Sequence, residues 1–131
     1  MDADLRLRLL DDYDTKTLAD KRITWGWRAE KAALPAVTIN RIASGRSYSF
    51  SGPSQLSGDL IQIDCWAATV VEAKRLFAAV RSALEREAQV GGTRFDMSFL
   101  DTETDMAPED VPGFGPVARV MSQFRIWWQP L

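Results

Sequence analysis

A run of acidic side chains in the last third of the sequence has the clearest potential for metal chemistry. The segment DTETDMAPED places carboxylates at alternating positions, on Asp101, Glu103 and Asp105. A calcium-binding loop uses such alternating ligands, but it also needs a glycine at its sixth position and a bidentate acid at its twelfth. Met106 and Pro112 occupy those two positions. We therefore predict no metal site here, but an acidic turn or loop that is solvated or docks against a neighbouring subunit.

Few other residues could support catalysis, because the 131-residue chain has no histidine and only one cysteine. This composition excludes histidine-dependent serine and cysteine nucleophiles, histidine metal sites and an internal disulfide. Asp64 and Asp96 fall on predicted neighbouring strands, where paired carboxylates could act as acid and base, although plain surface polarity is the simpler interpretation. Cys65 is expected to be a buried, inert thiol. The sequence predicts no cofactor site.

The overall composition is that of one globular domain spanning residues 1–131. Hydrophobic residues make up 46% of the chain, which is enough to build a core. The net charge is -2 and the basic residues are scattered, so no nucleic-acid footprint is indicated. No apolar run approaches the length of a membrane span, and the acidic N-terminus lacks the apolar core of a signal peptide. We expect a non-secreted protein without a membrane partner.

The first third of the chain predicts a helix followed by two strands. Residues 2–13 have helical apolar spacing, with Asp2 or Asp4 as the N-cap, and DTKTLAD adds a short further turn. RITWGW, residues 22–27, alternates as a strand does. AVTINRIA predicts the second strand, and its apolar phase requires a β-bulge near Arg41.

Residues 44–58, SGRSYSFSGPSQLSG, are rich in serine and glycine and predict a long mobile loop or an extended hairpin tip. Loops of this length in compact domains are usually functional or disordered. We expect the segment to be disordered in the isolated subunit and to become ordered on assembly, because it carries side chains that a spacer would not need. These side chains are Arg46, Tyr48, Phe50 and Leu56. Arg46 is available for the acidic segment, residues 101–110, of a neighbouring copy.

The stretch IQIDCWAATVVEAKRL joins a strand to a helix with almost no loop between them. Residues 59–66 alternate as a strand that points Cys65 towards the core. The following TVVE is a capping box, in which Thr69 and Glu72 can satisfy free N–H groups at the start of the helix. The helix is expected to end at Gly91–Gly92. Its apolar stripe consists of Ala73, Leu76, Phe77, Val80, Ala83 and Leu84.

The last third predicts two more strands, one on each side of the acidic segment. TRFDMSFL reads as a strand with Phe95, Met97 and Phe99 facing inward, and VARVMSQFRIWW reads as a long final strand. The inward positions of the final strand are Ala118, Val120, Phe124, Ile126 and Trp128. Its outward positions are Arg119, Met121, Gln123, Arg125 and Trp127.

Together these elements predict an α+β fold with a mostly antiparallel sheet of four to five strands, two helices packed on one face, and a long loop between the central strands. The other face would carry Trp66, Met121 and Trp127 among polar residues. A monomer rarely exposes several large apolar groups together. Either these residues lie apart or beneath loops, or the face, including Arg125, meets another subunit.

Several landmarks occur in an order that resembles the tail-completion, or tail-terminator, family of long-tailed phages and prophages. They are LRLRLLDD, KRITWG, LPAVTINRIA, the serine- and glycine-rich segment, IQIDCWAATVVEAKRLFAAVRSAL and ARVMSQFRIWW. The resemblance spans nearly the whole chain. Its most specific part is a strand that ends in Asp-x-Trp-Ala and leads into a helix with alanine and leucine on one face.

The resemblance implies a small α+β subunit that assembles as a ring, typically a hexamer. Such a ring caps the head-proximal end of the tail tube and offers the surface on which the DNA-filled head docks. The implied partners are further copies of the chain, the tail-tube protein and the head-side connector, while DNA passes through the lumen without sequence readout. The resemblance also implies a virion component that is assembled in the host cytoplasm and has no active site.

Three other readings stay open at the level of the sequence. The first is another head–tail connector or a minor tail protein, the second is a small enzyme that uses carboxylates, and the third is a cellular regulator or toxin-like binding domain. The missing histidines weigh against the enzyme.

Overall fold

The computed structural model describes residues 1–26, 33–50, 52–112 and 115–131. The elements are α1 (Asp2–Asp11), α2 (Tyr13–Ala19), β1 (Ile23–Trp25), β2 (Ala36–Ala43), β3 (Arg46–Ser49), β4 (Gly52–Ala67), α3 (Val70–Leu84), β5 (Ala88–Val90), β6 (Thr93–Phe95), β7 (Phe99–Val111) and β8 (Gly115–Pro130). The class is α+β, as predicted. Trp27, which ended the predicted first strand, lies outside the described residues.

The strands form one mixed sheet with β4 and β8 at its centre, paired antiparallel from Ser57–Trp128 to Ala67–Ala118. The other side of β4 pairs with β2 and β3, and the other side of β8 pairs with β7 and β6. β1 extends the sheet in parallel beside β2, and β5 extends it antiparallel beside β6. The described residues thus form eight strands and three helices, where four to five strands and two helices were expected.

Alternation along β4 and β8 separates two faces of the sheet, and this prediction is confirmed. On the helix face, Ile63 and Phe124 are completely buried. The centroid of the Phe124 ring lies 6.3 Å from the centroid of the Phe77 ring on α3. The opposite face, here called the open face, carries residues such as Gln62 and Gln123, which are only partly buried. The core therefore lies between the sheet and the helices.

The junction between β4 and α3 lies where the sequence predicted, and one of the two hydrogen bonds of the predicted capping box is present. Thr69 is the N-cap, and its hydroxyl accepts a hydrogen bond from the Glu72 backbone N–H at 3.2 Å. All six residues of the predicted apolar stripe of α3 are buried. The bulge predicted near Arg41 also appears, as a register shift between Arg41 and Ala43.

The N-terminal helices differ from the prediction in their caps. They also contact the end of α3 through Arg8. Met1 is the N-cap of α1 and makes no side-chain cap, so the assignment of Asp2 or Asp4 is wrong; the side-chain cap is Asp12, at the start of α2. From α1, the buried Arg8 guanidinium donates hydrogen bonds to carbonyls at the end of α3. These carbonyls belong to Ala83, Leu84 and, just beyond the helix, Arg86. Burial lowers the pKa of Arg8 to about 10, so it remains charged at neutral pH.

Three predictions for the second half of the chain are wrong. α3 ends at Leu84, and Gly91–Gly92 instead form the turn of the β5–β6 hairpin, where Gly91 has a φ of 57°. The chain leaves the sheet between β6 and β7, which resets the alternation, so that Met97 and Phe99 are exposed. The acidic segment is the edge strand β7 rather than a loop, and charged side chains are well tolerated at a sheet edge.

No helix among the described residues is long and apolar enough to cross a membrane.

Candidate assembly interface

Two hairpins extend beyond the paired region of β4 and β8, at opposite ends of the sheet. The first, here called the aromatic arm, consists of β3 and residues 52–57 of β4. The second, here called the acidic hairpin, consists of β7 and the first half of β8, and its tip passes the end of β4 at Ala67. Because β4 and β8 are antiparallel and continuous, the two tips point in opposite directions along the strands.

The aromatic arm settles the two alternatives for residues 44–58 in favour of a hairpin. β3 pairs with β4 from Arg46–Ser57 to Ser49–Gly52. The described residues of this segment are thus a hairpin rather than a loop, and its ordering on assembly stays a prediction. The arm is instead a paired, projecting element at the edge of the sheet.

A buried carboxylate anchors the root of the aromatic arm. Asp59 is 3% exposed and accepts hydrogen bonds from the Gly45 backbone N–H and the Trp128 indole N–H, both at 3.0 Å. The Arg41 guanidinium lies 3.4 Å from the same carboxylate. These contacts satisfy a charge that would otherwise be costly to bury, and they fix the direction in which the arm leaves the sheet.

Two glycines allow the close packing at this root. A side chain on Gly45 would collide with the Gly58 carbonyl, and one on Gly58 would meet the Trp127 ring at 2.6 Å. Arg125 donates a hydrogen bond to the Gly58 carbonyl at 3.0 Å. Arg125 and Trp127, both predicted to contact another subunit, therefore also stabilise the arm within their own chain.

The side chains singled out on the aromatic arm differ in exposure. Tyr48 is 71% exposed and Phe50, in the turn, is fully exposed. Arg46 is exposed, while Leu56 is partly buried. Two neighbouring exposed aromatic side chains on a projecting hairpin are unusual for an isolated soluble chain.

The acidic hairpin presents its carboxylates on an exposed edge strand. Asp101, Glu103 and Asp105 are all exposed. Asp105 already has a partner, since the Lys74 ammonium of α3 lies 2.6 Å from its carboxylate. The hydrogen bond to Asp105 raises the pKa of Lys74. Asp101 and Glu103 make no ion pair among the described residues.

The open face carries Trp66, as predicted, together with two partners that the sequence did not indicate. The Trp66 indole N–H donates to the Thr38 hydroxyl at 3.0 Å, and the Arg119 guanidinium lies over the Trp66 ring, 4.9 Å from a ring centroid. Met121 lies further along β8 and is partly buried, opposite Asp64. Asp64 is 3% exposed, and its Oδ1 has no hydrogen-bond partner among the described residues, so burial raises the pKa of its carboxyl.

The structure does not bring the candidate catalytic carboxylates together. Asp64 pairs opposite Met121, whereas the Asp96 backbone N–H bonds to the Trp127 carbonyl, six positions away along β8. Cys65 is fully buried, and burial raises the pKa of its thiol, in agreement with its predicted role in the core. Within the described part of the chain, no group of three or more aspartate, glutamate or cysteine side chains could hold a metal ion.

One missed residue had a signal in the sequence. Asp59 is in phase with Ile61 and Ile63, so the alternation of β4 places its carboxylate on the helix face. A buried carboxylate requires partners, and this phase alone could have indicated an anchoring role. The two partners of Trp66 had no comparable signal, because they come from strands far apart in the sequence.

Comparisons with known proteins are consistent with this architecture. A family described as "Tail completion protein gp17" matches residues 3–129. A chain in the solved structure of the virion of a native gene transfer agent particle has a TM-score of 0.71 with 15% sequence identity, over 98% of this chain and 94% of that chain. At this identity the structural similarity establishes the fold alone. No curated protein sequence matches the chain.

Proposed function

The chain belongs to the tail completion protein gp17 family, and we propose that it closes the head-proximal end of a phage-type tail as a ring of identical subunits. It is thus a structural protein of such a tail. In the proposal the ring, typically a hexamer, caps the tail tube and offers the surface on which the DNA-filled head docks. The subunits assemble in the host cytoplasm and remain in the virion.

The proposed partners follow from this position. One side of the ring binds the tail-tube protein and the other binds a head-side connector, while neighbouring copies of the chain bind each other around the ring. DNA passes through the lumen without sequence-specific contacts. The proposal requires no catalytic residue, metal or cofactor.

The observation that carries the proposal is the placement of two unlike projections at opposite ends of one sheet. A contact between different surfaces of identical subunits is heterologous, and it forms a ring when the rotation between neighbours closes. Arg46 is the only charged residue within 44–58, whereas residues 99–111 contain five carboxylates and no basic side chain. This difference in charge favours contact between the two projections of neighbouring copies over contact between like projections.

The proposed interface combines the two projections with the open face. Its residues are Arg46, Tyr48, Phe50, Leu56, Asp101, Glu103, Asp105, Met121, Arg125 and Trp127. Exposure of Tyr48 and Phe50 supports their inclusion most directly. Arg125 and Trp127 also hold the root of the aromatic arm, so substitutions there would change both the fold and the interface.

Met121 provides a cleaner test of the open face, because it is partly exposed at the middle of β8. We expect Met121→Lys to keep the melting temperature within a few degrees of wild type, because the new ammonium stands opposite the Asp64 carboxylate, but to prevent tail completion, measured as tubes joined to heads by electron microscopy. Val71→Lys, at a 67% exposed position on α3, is the matched control and should complete tails normally. Normal tail completion by Met121→Lys would remove the open face from the interface.

The ring itself is tested by measuring the mass of the chain in solution, with and without tail tubes. We expect a closed oligomer at one end of each tube, and tubes without the chain should not join heads. Binding to the head vertex with no affinity for tubes would instead identify a head-side connector.

A further inference from the structure

A small pocket lies on the open face, where β4 ends beside the acidic hairpin. It has a volume of about 110 Å³ and is lined by Trp66, Met106, Ala107, Glu109, Val117 and Arg119. It is here called the Trp66 pocket. Its walls are an indole ring, a thioether and a valine, with one cation and one carboxylate at the side. A cavity of about 150 Å³ binds benzene in other proteins, so this pocket is on the scale of one aromatic ring.

Within one chain, the exposed aromatic side chains of the aromatic arm lie too far away to fill this pocket. Phe50 precedes the first residue of β4, and Trp66 is the next-to-last residue of that strand. The strand rises about 3.3 Å per residue, so Gly52 and Trp66 are separated by about 45 Å along its length. An aromatic occupant from the tip of the aromatic arm must therefore come from another copy of the chain.

We propose that the aromatic arm of one subunit inserts Phe50 into the Trp66 pocket of the next subunit. This inference rests on the proposed ring and specifies the contact that builds it. Phe50 suits the pocket because its side chain has no polar group that would need a partner, and aromatic rings pack favourably against indole and thioether groups. Tyr48, which carries a hydroxyl, remains at the rim in contact with water.

Charge supports the same pairing. The pocket lies towards the tip of the acidic hairpin, and Glu109 is one of its lining residues. The incoming arm carries Arg46 and no carboxylate within residues 44–58. The arm therefore approaches a surface of opposite charge, whereas two acidic hairpins would repel each other.

The contact has a direction, and this makes it testable with two complementary variants. Phe50→Ala removes the inserted side chain but leaves the pocket intact, while Ala107→Trp fills the pocket but leaves the arm intact. Each variant alone should fail to form rings under conditions where the wild type does. An equimolar mixture should form heterodimers and stop, because a single intact junction is available. Both substitutions are at exposed positions, so each monomer should melt like wild type.

Cross-linking in assembled wild-type-like rings gives an independent readout. A chain with Tyr48→Cys and Ala107→Cys keeps the inserted Phe50 and places one cysteine at the rim of the pocket. Treated with a short bis-maleimide, it should yield a ladder of covalent oligomers. The native Cys65 is buried and should not react. Tyr13→Cys combined with Ala107→Cys is the control, since Tyr13 is 80% exposed but lies on α2; it should yield monomers.

The outcomes separate this inference from the proposed function. Rings formed normally by Phe50→Ala, or rings whose Tyr48→Cys and Ala107→Cys positions do not cross-link, would overturn the contact and leave the ring intact. Failure of the wild type to form any closed oligomer, alone or on tail tubes, would overturn both.

Discussion

In the paired region of β4 and β8, alternate residues face the helices, and the residues between them face the open side of the sheet. On the helix face, Ile63 and Phe124 are completely buried and belong to the hydrophobic core cluster. On the open face, Trp66 and Arg119 pair with each other at the edge of a pocket. The same two strands thus supply both the residues that stabilise the fold and those available for assembly. Substitutions on the two faces should therefore affect different measurements.

The largest expected effect comes from removing an aromatic side chain on the helix face. Phe124→Ala should lower the free energy of unfolding by about 3–5 kcal/mol, because it removes buried apolar area and leaves a cavity beside Phe77. Gln123→Ala, at the next position but on the open face, should change it by less than about 0.5 kcal/mol. Urea unfolding of the two variants measures the difference. Equal losses would show that the two faces contribute alike to stability.

A smaller loss is expected at the contact between α1 and the end of α3. Arg8→Met removes a charged donor from buried carbonyls and should cost about 2 kcal/mol in the free energy of unfolding. Arg81→Met is the control, because Arg81 pairs with Glu85 at an exposed site on α3, where ion pairs contribute little. Thermal melts of both variants would check this. An Arg8→Met protein as stable as wild type would mean that the carbonyls find other donors.

The N-cap of α3 should contribute less to the free energy of unfolding than Arg8 does. Thr69→Ala removes the hydroxyl that accepts from Glu72 and should cost about 1 kcal/mol, the usual value of such a cap. Thr69→Ser keeps the hydroxyl and should remain close to wild type. If both variants melt at the wild-type temperature, the cap does not contribute to stability.

The smallest effect is expected on the open face and depends on pH. Burial raises the pKa of Asp64 above that of an unfolded aspartate, about 3.9. The folded chain therefore binds this proton more tightly, and the charged carboxylate costs stability once the pH rises through the folded pKa. Asp64→Asn should raise the melting temperature at pH 7, and the gain should shrink towards pH 4. A gain that is constant across this range would indicate a packing effect instead.

Local sequence patterns correctly predicted the features whose residues lie close together in the chain. The Thr69 cap, the buried stripe of α3, the bulge near Arg41 and the alternating faces of β4 and β8 depend on residues close together in the chain. A hydroxyl group at a helix start predicts the cap because it can accept a backbone hydrogen bond. Apolar periodicity predicts the element type and its buried face. These features fixed the α+β class and the position of the helix face.

Elements whose structure depends on pairing were predicted less well. The acidic segment lacks the apolar content of a typical strand, yet β7 forms because β8 offers it a hydrogen-bonding edge along most of its length. Phe99 was assigned to the core because no signal marked the break after β6. The hairpin at Gly91–Gly92 was mistaken for a helix end, since glycine serves both purposes.

The candidate interface shows the same division. The sequence alone determined that Tyr48 and Phe50 stand in a polar segment that could not bury them, and the structure places both side chains in solvent. It also determined the opposite charges of residues 44–58 and 99–111. Only the tertiary structure decided where these segments lie relative to each other, because their positions are set by the pairing of β4 with β8, from Ala67–Ala118 to Ser57–Trp128. The Trp66 pocket exists only once β4, β7 and β8 are side by side, so no local pattern could indicate it.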